Sequence, residues 1–394
     1  MSLHDDALAL APDLVRLRHD LHRFPELGLD LPRTQERVLR ALEGLPLEVS
    51  QGSALSSVTA VLRGGRPGPA VLLRGDMDGL PVTEKAPVPF AAGNGAMHAC
   101  GHDLHTTMLA GAAHLLAARR EQLHGDVVFM FQPGEEGFDG AGAMLAEGVL
   151  DAAGRRPVAA YALHVTSGMR HGEFSSRRGP IMAASASLDV TVHGAGGHGS
   201  APHRAKDPIP AACEMVTALQ TMVTRRFDVF DPVVITVGLL RAGSQRNIIP
   251  ETARFEATVR TFSAQAQARA GDAVVELVRG IAAAHGLRAQ VEFVPGYPVT
   301  ETDGAETDFL ADTVREVFGE ERYQPLPNPM TGSEDFSRIL AAVPGSLGWL
   351  GAAPKGVDPE NLPLNHSPYA EFDDAVLPDG AALYAELATR RLAS

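Results

Sequence analysis

The stretch MHACGHDLH, residues 97–105, sets Cys100 and His102 two positions apart just before a helical pattern. A thiolate and an imidazole are good ligands for zinc and similar divalent ions. Taken alone, the same residues also read as a buried cysteine beside loop histidines, since cysteine is commonly a core residue. A second stretch, QPGEEG (132–137), places Glu135 and Glu136 side by side after an apolar run. One carboxylate could ligate a metal while its neighbour acts as general base on the attacking water, adjacency supplying the reach. The bland alternative is a solvated turn with two exposed acids. RGDMDGLP (74–81) carries Asp76 and Asp78. They are read as pointing to opposite sides, one toward a metal site and the other toward the sheet. An aspartate that orients a metal ligand is a normal part of such sites, and two acids opening a turn explain the pattern equally. His164 closes an apolar strand and His366 lies in NHSPYAEFDD (365–374). Each alone reads as a structural histidine. Together with Cys100, His102 and Glu136 they exceed one tetrahedral site, which makes a pair of metal ions reasonable.

Other histidines carry less. His105, His114 and His124 read as structural or surface groups, with His105 able to support a ligand from behind. GAGGHGSAPH (194–203) is a glycine-rich turn holding His198 and His203. Asn247 in RNIIP and Arg260 in ATVRTF would suit a substrate carboxylate, because guanidinium binds carboxylate through two parallel hydrogen bonds; a surface arginine is the plain alternative. No Gly-x-Gly-x-x-Gly opens a helix after a strand, no P-loop or Gly-x-Ser-x-Gly elbow occurs, and His-Glu-x-x-His is absent. Dinucleotide, nucleotide, serine-hydrolase and thermolysin-like chemistries are therefore unsupported.

The elements that must position these groups follow from the rhythm of the chain. Its 394 residues imply two or three domains, at ~150 residues each. In 1–179 apolar runs (70–78, 126–136, 158–165) alternate with helical patterns, among them an amphipathic helix over 103–120. That alternation predicts an α/β domain with a largely parallel central sheet flanked by helices, and ligands beyond the carboxyl ends of its strands. Residues 183–292 read as a βαββαβ, ferredoxin-like inserted domain. The α/β pattern then returns, so the expected division is a catalytic domain of 1–182 and 293–394 around a lid of 183–292, with hinges near 180–185 and 293–298. Residues 81–97 form a long loop of the kind that often carries function.

With 48 acids against 34 bases the formal charge is −14, which argues against nucleic acid or an anionic membrane as partner. Cys100 and Cys213 are the two cysteines, so no disulfide framework exists and a reducing compartment fits. The N-terminal stretch has neither the basic nor the apolar part of a signal peptide. No apolar run approaches the ~18 residues of a membrane span. A soluble, cytoplasmic protein is the expectation.

RGDMDGLPVTE, MHACGHDLHTTMLAGAA, FQPGEEGFDGAGAMLAEG, ALHV, GGHGSAPHRAKDPI, NIIPETARFEATVRTF, MTGSEDFS and NHSPYAEFDD, in that order, resemble the aminoacylase/carboxypeptidase-G superfamily of dinuclear metallohydrolases. They are most similar to its amidohydrolase branch, which holds hippurate hydrolase, auxin-conjugate hydrolases and N-acetyldiaminopimelate deacetylase. The resemblance spans nearly the whole chain. It implies that Cys100, His102, Glu136, His164 and His366 bind two divalent metals, that Glu135 is the general base and that Asp78 supports the site. It implies that His198 polarises the scissile carbonyl, in related enzymes from the partner subunit, and that Asn247 and Arg260 hold the substrate's carboxylate or oxyanion. A homodimer or homotetramer through the lid follows from the same likeness. Where many superfamily members have His-x-Asp this chain has Asp76-Met77-Asp78, and where they have a bridging aspartate it has Cys100-Gly101-His102. The bridging ligand and the choice among zinc, manganese, cobalt and nickel are thereby left open. The expected reaction is hydrolysis of the amide bond of an N-acyl amino acid, releasing a carboxylic acid and a free amino acid. A metallo-carboxypeptidase or dipeptidase acting on short peptides is the alternative. A catalytically dead binding protein would need a broken ligand set, and every ligand position is filled.

Overall fold

A computed structural model describes residues 2–394. The chain divides into two compact units. The larger runs to Ile181 and resumes over Glu301–Asn328 and Arg338–Ser394; the smaller comprises Met182–Thr300 and Pro329–Ser337. Among the described residues no helix is long and apolar enough to cross a membrane.

The larger unit is built on a seven-stranded sheet. Its strands are β1 (Leu47–Gln51), β2 (Val58–Arg63), β3 (Arg66–Asp76), β4 (His124–Gln132), β5 (Ala159–Thr166), β6 (Phe174–Ser175) and β7 (Gly345–Gly351). They lie in the order β1-β2-β4-β3-β5-β7-β6. The four inner strands, β4, β3, β5 and β7, run parallel, and the outer three pair antiparallel. Helices cover the inner strands, so β5 and β7 are buried throughout and β4 beyond its first residue. Continuous apolar runs such as VVFMF are the sequence form that a doubly covered parallel strand requires.

Helices α1 (Leu3–His22), α2 (His102–Ala117), α3 (Gly304–Phe318) and α4 (Leu377–Ala393) belong to this unit. Ser2 caps α1 in a reciprocal box with Asp5, satisfying two otherwise unpaired amides. Helix α2 departs from the amphipathic expectation. It ends at Ala117, and all of its residues except His114 and Ala117 are buried, because β3 lies beneath it while α1 and α4 pack along it. The close approach of α4 depends on Gly380, where a Cβ would sit 2.0 Å from Met108 Sδ.

The smaller unit has the βαββαβ order and an antiparallel sheet in the order 233–242, 252–261, 184–193, 288–295. Helices Pro208–Arg226 and Ala264–Ala284 supply its helical layer. Burial alternates along Ala184–His193 and Thr252–Thr261, as expected of a sheet covered on one face. Segment 329–337 groups with this unit, held by Ala183 N–H bonding to the Met330 and Gly332 carbonyls.

Candidate metal centre

Strands β3 and β4 end at Asp76 and Gln132, and β5 carries His164 two residues before its end. The carboxyl ends of adjacent parallel strands thus deliver Asp76, Asp78, Glu135, Glu136 and His164 to one place, the usual ligand position of such a sheet. Helix α2 enters from the same side. Its N-cap is Gly101 at φ +87°, where a Cβ would lie 2.3 Å from Val165 Cγ2. Only glycine fits, and it sits between Cys100 and His102. His366 arrives on the loop before α4 at φ +71°, one of two non-glycine residues with positive φ among the described residues.

Among the groupings of possible donors that result, two consist of expected ligands alone. The donor atoms of Cys100, His102 and His164 all lie within 4.8 Å of one another, as do those of Cys100, Glu136 and His366. Cys100 is common to both. Its Sγ is 3.4 Å from His164 Nε2. His164 Nδ1 lies 2.8 Å from the Val165 carbonyl. A carbonyl can only accept, so Nδ1 carries the hydrogen and the Nε2 lone pair faces the sulfur. Glu136 Oε1 is 3.1 Å from His366 Nε2 and 4.0 Å from His102 Nε2.

Asp78 holds the acidic pair in place. Its carboxylate accepts the Glu135 N–H at 2.9 Å and the Glu136 N–H at 3.1 Å, and its Oδ1 is 3.4 Å from His102 Nδ1. Asp76 lies on the other side of the same ring, Oδ2 at 3.6 Å from His102 Nε2. The expectation that the two aspartates diverge therefore fails: both carboxylates face His102, residues two apart would share a face wherever a strand continues, and here the strand itself ends at Asp76. Asp76 is also engaged elsewhere, with Arg74 Nη1 at 2.7 Å and His105 Nδ1 at 2.6 Å. His105 Nε2 accepts the Val165 N–H at 2.7 Å, so both of its nitrogens are committed. It is a buried brace and neither a ligand nor a surface group. His114 is partly buried, its Nε2 2.7 Å from the Ala41 carbonyl, and His124 lies at the surface beside Arg66.

The electrostatics call for cations. Hydrogen bonding to Cys100 and Glu136 pushes His366 up to about 10 against the cost of burial. Burial opposes a charge on His102, but Asp76, Asp78 and Cys100 outweigh it and hold its pKa well above the usual value. Burial, aided by His105, keeps His164 neutral. Burial works against ionised Glu136, and His366 and His102 overcome it. Both ring nitrogens of His102 are buried with no well-formed hydrogen bond, their nearest acceptors being the Asp78 and Asp76 carboxylates at 3.4 and 3.6 Å. Buried polar atoms with no partner are rare unless something else occupies them. A mixed thiolate, imidazole and carboxylate set with such atoms fits divalent transition metals.

The other expected residues lie in the smaller unit. His198 is exposed in a short pairing with Ile248, and its Nδ1 is 2.8 Å from Ser200 Oγ. Asn247 stands in the facing loop, its carbonyl accepting the Gly199 N–H at 2.8 Å. Arg260 is half-buried and donates to Ser333 Oγ at 2.9 Å. Two residues of the larger unit went unremarked in the sequence. Trp349 on β7 packs against His164 with ring centroids 4.6 Å apart and the planes tilted by 37°. Asn365 precedes His366 and bonds around the cluster. NHSPYAEFDD contains the latter, but nothing in its spacing marks the asparagine.

The sequence profile of peptidase family M20/M25/M40 matches residues 72–390. The chain belongs to that family. It is a metal-dependent hydrolase of M20 type. It is similar to an IAA-amino acid hydrolase of Arabidopsis thaliana, 36% identical over 96% of this chain and 86% of the relative. It is 34% identical to thermostable carboxypeptidase 1 of Saccharolobus solfataricus over 98% of both chains. It is 33% identical to N-acetylcysteine deacetylase of Bacillus subtilis over 95% of this chain and 96% of the relative. The crystal structure of a Bacillus subtilis dinuclear metal-binding M20 peptidase superposes with TM-score 0.83 at 30% identity, covering 98% and 99% of the two chains.

Proposed function

We propose that this M20 enzyme hydrolyses the amide bond of N-acyl amino acids, releasing a carboxylic acid and a free amino acid. The observation that carries the reading is the pair of donor trios sharing Cys100, with Glu135 beside them and its backbone held by Asp78. Relatives named as an IAA-amino acid hydrolase and an N-acetylcysteine deacetylase support this substrate class. Cys100, His102 and His164 hold one divalent cation, and Cys100, Glu136 and His366 the other, with zinc, manganese, cobalt and nickel all compatible with the donors. Such cations, when bound, polarise the scissile carbonyl and acidify water.

The chain's own groups do the rest. Glu135 takes a proton from the attacking water as its oxygen bonds to the amide carbon. The carbon–nitrogen bond then breaks, and Glu135 delivers the proton to the leaving amine nitrogen. Asp78 fixes the turn that aims Glu135. The smaller unit serves as lid and dimerisation domain: His198 donates to the developing oxyanion, and Asn247 and Arg260 bind the substrate carboxylate, Arg260 by its planar fork. A homodimer or homotetramer through that unit, in a reducing cytoplasm that keeps Cys100 a thiol, completes the reading.

The test is hydrolysis by purified protein after chelation and after reloading with zinc, manganese, cobalt or nickel, against N-acetyl and N-benzoyl amino acids and unblocked dipeptides. Metal-dependent release of acid from N-acyl amino acids is expected. Preference for unblocked dipeptides would move the enzyme to the peptidase reading, which the carboxypeptidase relative favours.

A further inference from the structure

Asn365 is half-buried next to His366, and its side-chain amide bonds three backbone groups on two other segments, Cys100 and Val165–Ser167. Its Nδ2 donates to the Val165 carbonyl at 3.0 Å and to the Cys100 carbonyl at 3.2 Å. Its Oδ1 accepts the Ser167 N–H at 3.3 Å. The orientation is fixed by the partners: two carbonyls need the NH2 side and one backbone amide needs the oxygen side. The Nδ2 also lies 4.0 Å from Cys100 Sγ.

Two of the three partners bear directly on donors of the metal centre. The Cys100 carbonyl is the backbone of the shared thiolate. The Val165 carbonyl is the group beside His164 Nδ1, at 2.8 Å. Asn365 itself is covalently joined to His366, whose N–H donates to the Ala99 carbonyl at 2.8 Å. His366 holds φ +71°. A left-handed non-glycine residue is strained and persists only where its surroundings over-determine it. The asparagine cross-link on one side and the Ala99 bond on the other do so.

We infer that Asn365 is a positioning residue of the metal centre: its amide sets the mutual spacing of Cys100, His164 and His366, so that cation affinity and the thiolate–metal bond depend on it. The inference rests on the proposed assignment of those three residues as ligands. Nothing in it requires Asn365 to touch metal or substrate.

The experiment uses full-length protein loaded with cobalt(II), read by thiolate-to-cobalt absorption and by the cobalt dissociation constant from chelator competition. The wild type is expected to show the thiolate band. Asn365→Ala is expected to weaken cobalt binding ~10–100-fold, the usual loss for a partner that orients a ligand, and to shift or abolish the band. Asn365→Asp keeps the shape but turns a carboxylate oxygen toward two carbonyls, and is expected to bind no better than Asn365→Ala. Ser167→Ala removes the neighbouring Ser167 Oγ bond to the Pro363 carbonyl, 2.8 Å, while keeping the Ser167 N–H, and is expected to leave affinity and band as in the wild type. Wild-type affinity and spectrum in folded Asn365→Ala would overturn the inference. So would an equal change in Ser167→Ala, which would assign the effect to loop packing, and so would loss of folding in both Asn365 variants. Absence of a thiolate band in the wild type would instead overturn the assignment of Cys100 as a ligand, and the inference with it.

Discussion

Glu135 owes its place to a neighbour that takes no proton itself. Both carboxylate oxygens of Asp78 are spent on the amides of Glu135 and Glu136. Glu135→Gln keeps that turn and removes the proposed base, so kcat is expected to fall ~10²–10⁴-fold, the usual worth of general acid–base catalysis. Metal stoichiometry by elemental analysis should stay at the wild-type value; retained turnover in the metal-loaded variant would remove Glu135 from its role. Asp78→Asn turns an NH2 group against one of the two amides and loses a charge-assisted hydrogen bond of ~1.5–3 kcal/mol. Its kcat is expected to drop at least ~10-fold, and an unchanged pre-steady-state rate would show that the turn holds without the carboxylate. At this scale the sequence was informative wherever donors are contiguous: Cys100 with His102, and Glu135 with Glu136. It left His105 only a supporting part and was silent on Asn365, whose partners are backbone groups of residues far away in the chain, and a backbone carbonyl leaves no mark in residue type. The two aspartates were misread as diverging, although a period of two puts residues i and i+2 on one face; β3 in any case ends at Asp76.

Helix α2 starts where the centre starts, and its entry is sterically fixed. Gly101→Ala puts a methyl where Val165 Cγ2 lies 2.3 Å away, at a φ of +87°. The loss of stability should exceed ~1 kcal/mol from the backbone conformation alone, read as a lower urea midpoint with unchanged slope. A second clamp holds the same helix from α1. His22 lies 2.8 Å from Asp103 and 2.9 Å from Glu84, the latter in the 81–97 loop, and is buried. Burial disfavours its charge, but Asp103 and Glu84 prevail, so its folded pKa is raised. A raised histidine contributes fully below its unfolded value of ~6.5 and loses that contribution as pH rises through the folded value. The stability advantage of wild type over His22→Gln should therefore be largest in mild acid and shrink toward alkaline pH; a pH-independent difference in urea titrations would contradict the clamp. Strand–helix alternation and the βαββαβ insert could be read because long apolar runs and period-two patterns declare themselves. The outer strands β1 and β6 could not. β1 has no buried residue to give it a pattern, and β6 is two residues long.

Across the larger unit, Arg18 binds α1 to the two later pieces that flank the centre. It is 2% exposed, with Nε 2.7 Å from Asp103 and Nη1 3.0 Å from Asp374 just before α4. Removing one partner of a buried ion pair strands the other, at ~3–5 kcal/mol. Arg18→Ala is expected to lose that much in equilibrium unfolding, and a loss under ~1 kcal/mol would show that Asp103 finds its partners without α1. The donors themselves come from residues 100 to 366, so the centre assembles only when most of the chain has folded. The molecule also carries its own lamp on that event. It has a single tryptophan, and that residue is Trp349, buried, its ring 4.6 Å from that of His164 and tilted 37° to it. All indole emission from this chain therefore originates beside one proposed ligand. Titration of the unlabelled apoprotein with a cation should change the intensity or colour of that emission in step with binding, and the fluorescence of each variant described above can report its occupancy with no dye attached.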